Sequence, residues 1–211
     1  MRSLHCISAL CALVVSAAAW AQALPKPGEF YFDEDRSAKQ SLVVIKGDGD
    51  AAVKRLTQMV ERNERNADKA HAQLAGLLMA TGRTENGKAL YQQLVARLDG
   101  SHGLRRPVLW HYAWALYRAG EPEAALQQWA ELVQGRGIEP SWAPPTLALA
   151  LWKLDRKDEA IAWYAAAVRT EPRQWSTTAL YQQLLPDWSD AERKDLAQVQ
   201  AAWATKRPAW P

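Results

Sequence analysis

The chain has 211 residues, with 26 Lys and Arg against 23 Asp and Glu. That length suits one domain or a short repeat array, and charges so evenly matched and interspersed leave no footprint for a nucleic acid. Both cysteines, Cys6 and Cys11, lie near the N-terminus, so the remainder has no disulfide, thiolate nucleophile or cysteine metal site and must rely on an apolar core.

Residues 1–23 have the layout of a cleaved secretory signal: Arg2, an apolar run from Leu4 to Ala19 too short for a comfortable membrane span, then the small-residue sites Ala19-Trp20-Ala21 and Ala21-Gln22-Ala23. Cleavage is expected after Ala23, with Ala21 the second choice and an uncleaved anchor the other reading. Too little chain precedes Cys11 for lipidation. Removing the signal takes away only Arg2, leaving 25 basic against 23 acidic residues. A cysteine-free exported chain fits a bacterial periplasm better than a disulfide-rich extracellular setting. No later segment approaches 18 apolar residues, so no stable membrane span is expected after cleavage.

Residues 24–46 read as an irregular leader. Pro25, Pro27 and Gly28 block a helix, Phe30-Tyr31-Phe32 offers an aromatic anchor, Asp33-Glu34-Asp35 is solvated, and Ser41–Ile45 suits a short strand or a helix start. From Gly47 the pattern is helical. Helices are predicted from Asp50, as cap, to about Arg65; over Ala67–Ala80; Thr84–Leu98; Pro107–Ala119; Pro122–Gln134, closed by Gly135; Pro144–Leu154; and from near Asp158 to Thr170. A short helix near Thr177–Leu185 and one over Asp190–Thr205, capped by Ser189, complete the chain.

Tight turns between helices imply antiparallel hairpins. The stretch RAGEPEAALQQW (residues 118–129) returns as KLDRKDEAIAWY (residues 153–164) with small, charged and aromatic residues in the same order. In each second helix a small residue precedes a large one by four: Ala52/Leu56, Gly87/Tyr91, Ala125/Trp129 and Ala160/Tyr164, spaced by 35, 38 and 35 residues. The first helices carry Ala75/Leu78, Ala113/Leu116 and Ala148/Leu151, followed by turns at Gly82, Gly120 and Asp155. The small residue allows two helices to cross closely and the large one plugs the space beyond.

A helix–turn–helix unit of about 34 residues with this pattern resembles the tetratricopeptide repeat. The best unit is ALALWKLDRKDEAIAWYAAAVRTEP, with Ala148, Leu151, Asp155, Ala160, Tyr164, Ala167 and the closing Pro172. The unit at Leu109–Val133 keeps Ala113, Leu116, Gly120, Ala125 and Trp129 but has Leu132 where a small residue is usual and Pro140 slightly displaced. The unit at Lys69–Val95 has Gly87 for Ala and Leu94 for a small residue. The resemblance covers about 60% of the chain, residues 48–172. It implies an all-α fold, a right-handed solenoid of stacked hairpins, with a half repeat at 47–66, repeats at 67–100, 105–138 and 141–173, and capping helices and a tail at 174–211. Glu192, Arg193, Lys194 and Asp195 are expected to be exposed on that cap. It also implies a concave groove that binds a protein or peptide segment.

Ten of the eleven tryptophans follow residue 23. Most are expected to fill gaps between helices. In the repeat frame, however, Trp110, Trp114 and Tyr117 occupy the groove face of one first helix, and Trp142, Leu149 and Trp152 that of the next. These six are the candidate partner-binding residues, suited to peptide recognition or to stacking on sugars, unless Trp175, Trp188, Trp203 and Trp210 fold back as a cover. Ala113, Ala125, Trp129, Ala148, Ala160, Tyr164 and Pro172 are structural repeat positions.

His71 reads as a helix-surface residue, His102 as a loop residue, and His111 as a possible groove member; none has a second ligand at metal spacing. Gly47-Asp48-Gly49-Asp50 lacks the later ligands of a calcium loop. No nucleophile elbow, phosphate loop or dinucleotide fingerprint occurs, so neither catalysis nor a metal or cofactor is expected. The expected function is an exported scaffold or adaptor that binds a protein segment and helps assemble an envelope complex. The alternative is a tryptophan-rich module for an envelope glycan such as peptidoglycan; an enzyme ranks last.

Overall fold

The computed structural model describes residues 24–27, 32–134 and 136–209. The expected signal, residues 1–23, and Phe30, Tyr31, Gly135 and Trp210 lie outside them. Eight helices of the repeat region and its flanks follow the predicted order: α1 (Asp50–Glu61), α2 (Ala67–Ala80), α3 (Thr84–Arg97), α4 (Arg105–Arg118), α5 (Pro122–Val133), α6 (Ala143–Lys153), α7 (Lys157–Thr170) and, after two single turns, α10 (Asp190–Thr205). The turns α8 (Pro172–Trp175) and α9 (Tyr181–Leu184) replace the single short helix expected near 177–185. Neighbours pack in antiparallel succession, α2 on α3, α4 on α5 and α6 on α7, and α10 lies against both α6 and α7. The fold is an all-α solenoid of the tetratricopeptide type.

The crossing residues explain this stacking. Ala125, Trp129, Ala160 and Tyr164 are inaccessible to solvent, as are Ala75, Ala113, Ala148 and Leu151. At Gly87 the approach is closest, for a Cβ there would stand 2.5 Å from the carbonyl oxygen of Ala75. Only glycine admits that crossing, which is why Gly87 replaces the usual alanine.

The three inner turns are built alike. Gly82, Gly120 and Asp155 all take left-handed backbone, with φ of 82°, 85° and 59°. In each case the next amide reaches back over five residues: Arg83 to Leu78 O, Glu121 to Leu116 O and Arg156 to Leu151 O, at 2.8, 2.9 and 3.0 Å. These are Schellman closures, which satisfy the last carbonyls of α2, α4 and α6 and turn the chain sharply into the next helix.

Some local expectations are corrected. Gly49, not Asp50, is the N-cap of α1, and Asp50 is its first residue, where its charge meets the helix dipole. Pro107 sits at the third position of α4, which begins at Arg105. The expected cap of α10 is present in full: the Ser189 side chain accepts from the Glu192 amide while Glu192 accepts from the Ser189 amide. Glu192 is nevertheless buried and Arg193 and Asp195 half-buried, leaving Lys194 as the exposed member of that quartet. Ser41–Ile45 is neither strand nor helix start. The leader instead makes a short parallel bridge, β1 (Phe32–Asp33) to β2 (Glu139–Pro140).

Candidate partner-binding face

The first helices of the hairpins, α2, α4 and α6, form the face on which a partner was expected. Two coverings, the C-terminal segment and the leader, leave only part of it open. At the α6 end, Trp142 is buried, and its ring meets that of Trp110 at 4.8 Å. In the middle, Trp114 is buried among Trp110, Tyr117, Trp129 and Trp188, with the Trp188 ring centre 5.2 Å away. Arg118 places its guanidinium 5.0 Å from the Trp114 ring centre and bonds to Glu192 and to the Asp187 carbonyl, tying the C-terminal segment over α4. On α6, the Trp152 indole donates to Gln198 of α10 at 3.2 Å, and the Lys157 ammonium lies 3.7 Å from its ring centre.

The six predicted groove residues therefore separate. Leu149 has no solvent exposure, and Trp114 and Trp142 are buried, so these three are not open to a partner; the apolar surface of the C-terminal segment and the leader covers them. Trp110, Tyr117 and Trp152 are half-buried at the margins. Burial, with the nearby charges of Asp195 and Glu192, raises the Tyr117 hydroxyl pKa. Each described tryptophan is buried or half-buried, so none offers a fully exposed ring. Trp175, Trp188 and Trp203 are buried, with Trp203 against Tyr164 at 6.1 Å, and Tyr164 bonds Trp175 O and the Tyr181 hydroxyl at 2.6 and 2.8 Å. These bonds seal the last hairpin.

The leader is the second covering. Asp35, whose side chain is 1% exposed, accepts from Arg106 at 2.6 Å, the Trp142 indole at 3.0 Å and Ser37 at 2.8 Å, with Arg136 at 3.5 Å. Burial alone would raise the Asp35 carboxyl, but these donors outweigh it and hold the pKa below the usual range. Further along, the Gln40 carbonyl meets His111 Nε2 at 3.1 Å. Gln73 on α2 then clamps the backbone, its Oε1 accepting from the Val44 and Ile45 amides at 2.8 and 3.0 Å and its Nε2 donating to Ile45 O at 2.6 Å. The leader thus crosses the inner face from α6 to α2.

What stays open is a cleft between α2 and α4. A cavity of about 330 Å³ is lined on one side by Leu42, Val43 and Ile45, and another of about 450 Å³ shares Gly76 and His111 with it and reaches Ala115 and Arg118. Small residues make this space: Gly76 and Ala80, one turn apart on α2, line it with Ala115 of α4 and Ala119, the C-cap of that helix. That spacing was present in the sequence but was masked by the tryptophans beside it. His111 belongs to the cleft, as the sequence allowed, and its burial lowers its pKa. His71, expected on the surface, is buried within α2 and likewise depressed by burial. His102 is exposed in the α3–α4 loop, accepting from the Leu104 amide.

Among the described residues no group of three or more His, Cys, Asp or Glu could hold a metal ion, and no helix is long and apolar enough to cross a membrane. Among known families, the tetratricopeptide repeat model matches residues 146–174, which take in most of the α6–α7 hairpin and its closing Pro172. No curated protein and no solved structure matches. Repeats of this family suggest a protein–protein interaction scaffold, and its members are typically non-catalytic. That match supports a protein of the tetratricopeptide repeat type: it spans the last hairpin, and the hairpins α2–α3 and α4–α5 that precede it are packed in the same way.

Proposed function

We propose that the protein is an exported scaffold that holds an extended protein segment on the α2–α4 face and so brings together an envelope complex. The observation that carries this is the Gln73 amide, which reads the backbone of an extended stretch through three hydrogen bonds. Backbone recognition at one point, with apolar space beside it, suits a peptide more than a compact ligand. The export part rests on the signal-like residues 1–23.

Ala115→Trp tests the reading. The indole would fill the cleft from a half-buried position and leave the core helices in place. Helical circular dichroism should be unchanged, while envelope proteins that co-purify with the wild-type chain should be lost. Undiminished capture would remove the cleft from the model of binding. Retention on purified cell-wall material, with no protein partner present, would favour the glycan alternative instead.

A further inference from the structure

The leader differs from the rest of the fold in how it is held. Between Asp33 and Ile45 only three side chains are buried, Asp35, Ala38 and Leu42, while Arg36, Ser37, Lys39, Gln40, Ser41 and Val43 are exposed. Val43 is 64% exposed, the most accessible large apolar residue among those described. At the start of the leader Asp33 is held through the β1–β2 bridge, its carbonyl accepting from the Ser141 amide at 2.7 Å, and by Arg136 on its carboxylate. Beyond that the grip comes from side chains of the repeats: Arg106, Arg136 and Trp142 on the Asp35 carboxylate, His111 on one carbonyl, and Gln73 on two amides and the Ile45 carbonyl. Widely spaced anchors with solvated residues between them characterise a bound peptide more than a core element. The seat is also wider than its occupant, since an open cavity of about 330 Å³ is lined by Leu42, Val43 and Ile45 together with Ala72, Gly76 and Leu77 of α2. A core element would be close-packed there. The segment joins α1 through Gly47-Asp48-Gly49, where Gly47 has φ of 92° and both glycines face open space.

We propose that Asp33–Ile45 is a displaceable ligand bound in cis, and that the partner segment displaces it by presenting the same chemistry. Resting on the scaffold reading above, this specifies the partner. It carries a carboxylate at the start of a single turn, a small residue three positions on and a leucine-sized side chain seven on. Two free backbone amides follow nine and ten positions after the carboxylate, the spacing of Ala38, Leu42, Val44 and Ile45 from Asp35. The two arginines and the indole N–H supply charge and donors that an apolar groove lacks, so they select an acidic residue and set the register. While the cis segment is seated its local concentration is high, and a partner must compete with it.

The test uses the full chain and a labelled synthetic peptide of residues 32–46, FDEDRSAKQSLVVIK. Asp35→Ala in the chain loosens the cis segment but leaves its seat intact. The variant should bind the peptide at least tenfold more tightly than the wild-type chain does. The same peptide carrying Asp35→Ala should lose at least tenfold in affinity for that variant. Equal binding by the two chains, or no binding by a variant with native circular dichroism, overturns the proposal. If the variant does not fold, a protease site inserted between Gly47 and Gly49 serves instead: after cleavage the labelled peptide should exchange into the folded chain. A severed segment that never exchanges is a fixed part of the core, and the proposal falls. Dimerisation by swapped leaders without entry of free peptide would assign the seat to a second copy, and also overturns it. Loss of capture in Ala115→Trp is independent of these readouts, so intact capture loss with failed exchange would sink only the cis-ligand proposal.

Discussion

The indole N–H of Trp142 donates to Asp35 Oδ2 at 3.0 Å, joining residues 107 apart in the chain. Arg106 holds the same oxygen at 2.6 Å, and Arg136 approaches the other at 3.5 Å. One carboxylate thus fastens the leader to α4, to the α5–α6 loop and to the entrance of α6. Asp35→Asn keeps the size and an acceptor for Trp142 but removes the charge that both arginines face. Docking of the leader should weaken by about 1–3 kcal/mol, the range for loss of charge-assisted hydrogen bonds. Hydrogen exchange checks this: the Val44 and Ile45 amides should exchange faster, while the amides of α7 keep their protection.

Gly87 faces the backbone of α2 more closely than any side chain allows, with a Cβ placed 2.5 Å from Ala75 O. Gly87→Ala gains helix propensity but must force α3 away from α2. Overpacking should prevail, destabilising the chain by about 1–3 kcal/mol in a urea titration. Gly76→Ala is the milder control, because its Cβ would meet only the Tyr91 hydroxyl, at 3.1 Å.

Asp155 occupies the left-handed turn position that glycine fills in the two preceding hairpins. Its ion pair with Lys157 is exposed, with 91% of the Asp155 side chain open to solvent, and should contribute little. Asp155→Gly removes the Cβ penalty and should raise stability by about 0.5–1 kcal/mol, whereas Gly120→Ala should lower it by a similar amount. Thermal melts of the two variants should therefore move in opposite directions.

His71 and His111 both have pKa values lowered, chiefly by burial. In the unfolded chain each titrates near 6.5, so below that pH the unfolded state binds more protons than the folded one. Stability from these groups is complete above about pH 6.5 and is lost progressively as pH falls toward their folded values, with a ceiling of about 1.4 kcal/mol per pH unit for each group. Urea midpoints measured from pH 7.5 to 5 should decline, and His71→Gln with His111→Gln should flatten the decline. An unchanged slope in the double variant would show that other groups govern it.

The helical part of the fold was legible because its causes are local. A 35-residue spacing of small and large residues, a left-handed turn residue after each first helix and a Ser-x-x-Glu cap before α10 each act within one hairpin. The face that would meet a partner was less legible, because what covers it comes from distant sequence. Trp114, Trp142 and Leu149 have the periodicity of a groove wall, and periodicity marks which residues share a face but cannot tell what lies on it. Asp35, which looked like one of three solvated acids, became the most enclosed carboxylate of the leader only because Arg106, Arg136 and Trp142 converge from three parts of the chain. Glu192 was misjudged for the same reason, its partner Arg118 lying 74 residues earlier. The sequence by itself determined the helices, their pairing and the repeat pattern, since those follow from short-range sterics and capping. Tertiary structure alone decided that the chain's own leader and C-terminal segment occupy most of the inner face, because burial and ion pairing between remote segments depend on where the solenoid carries them.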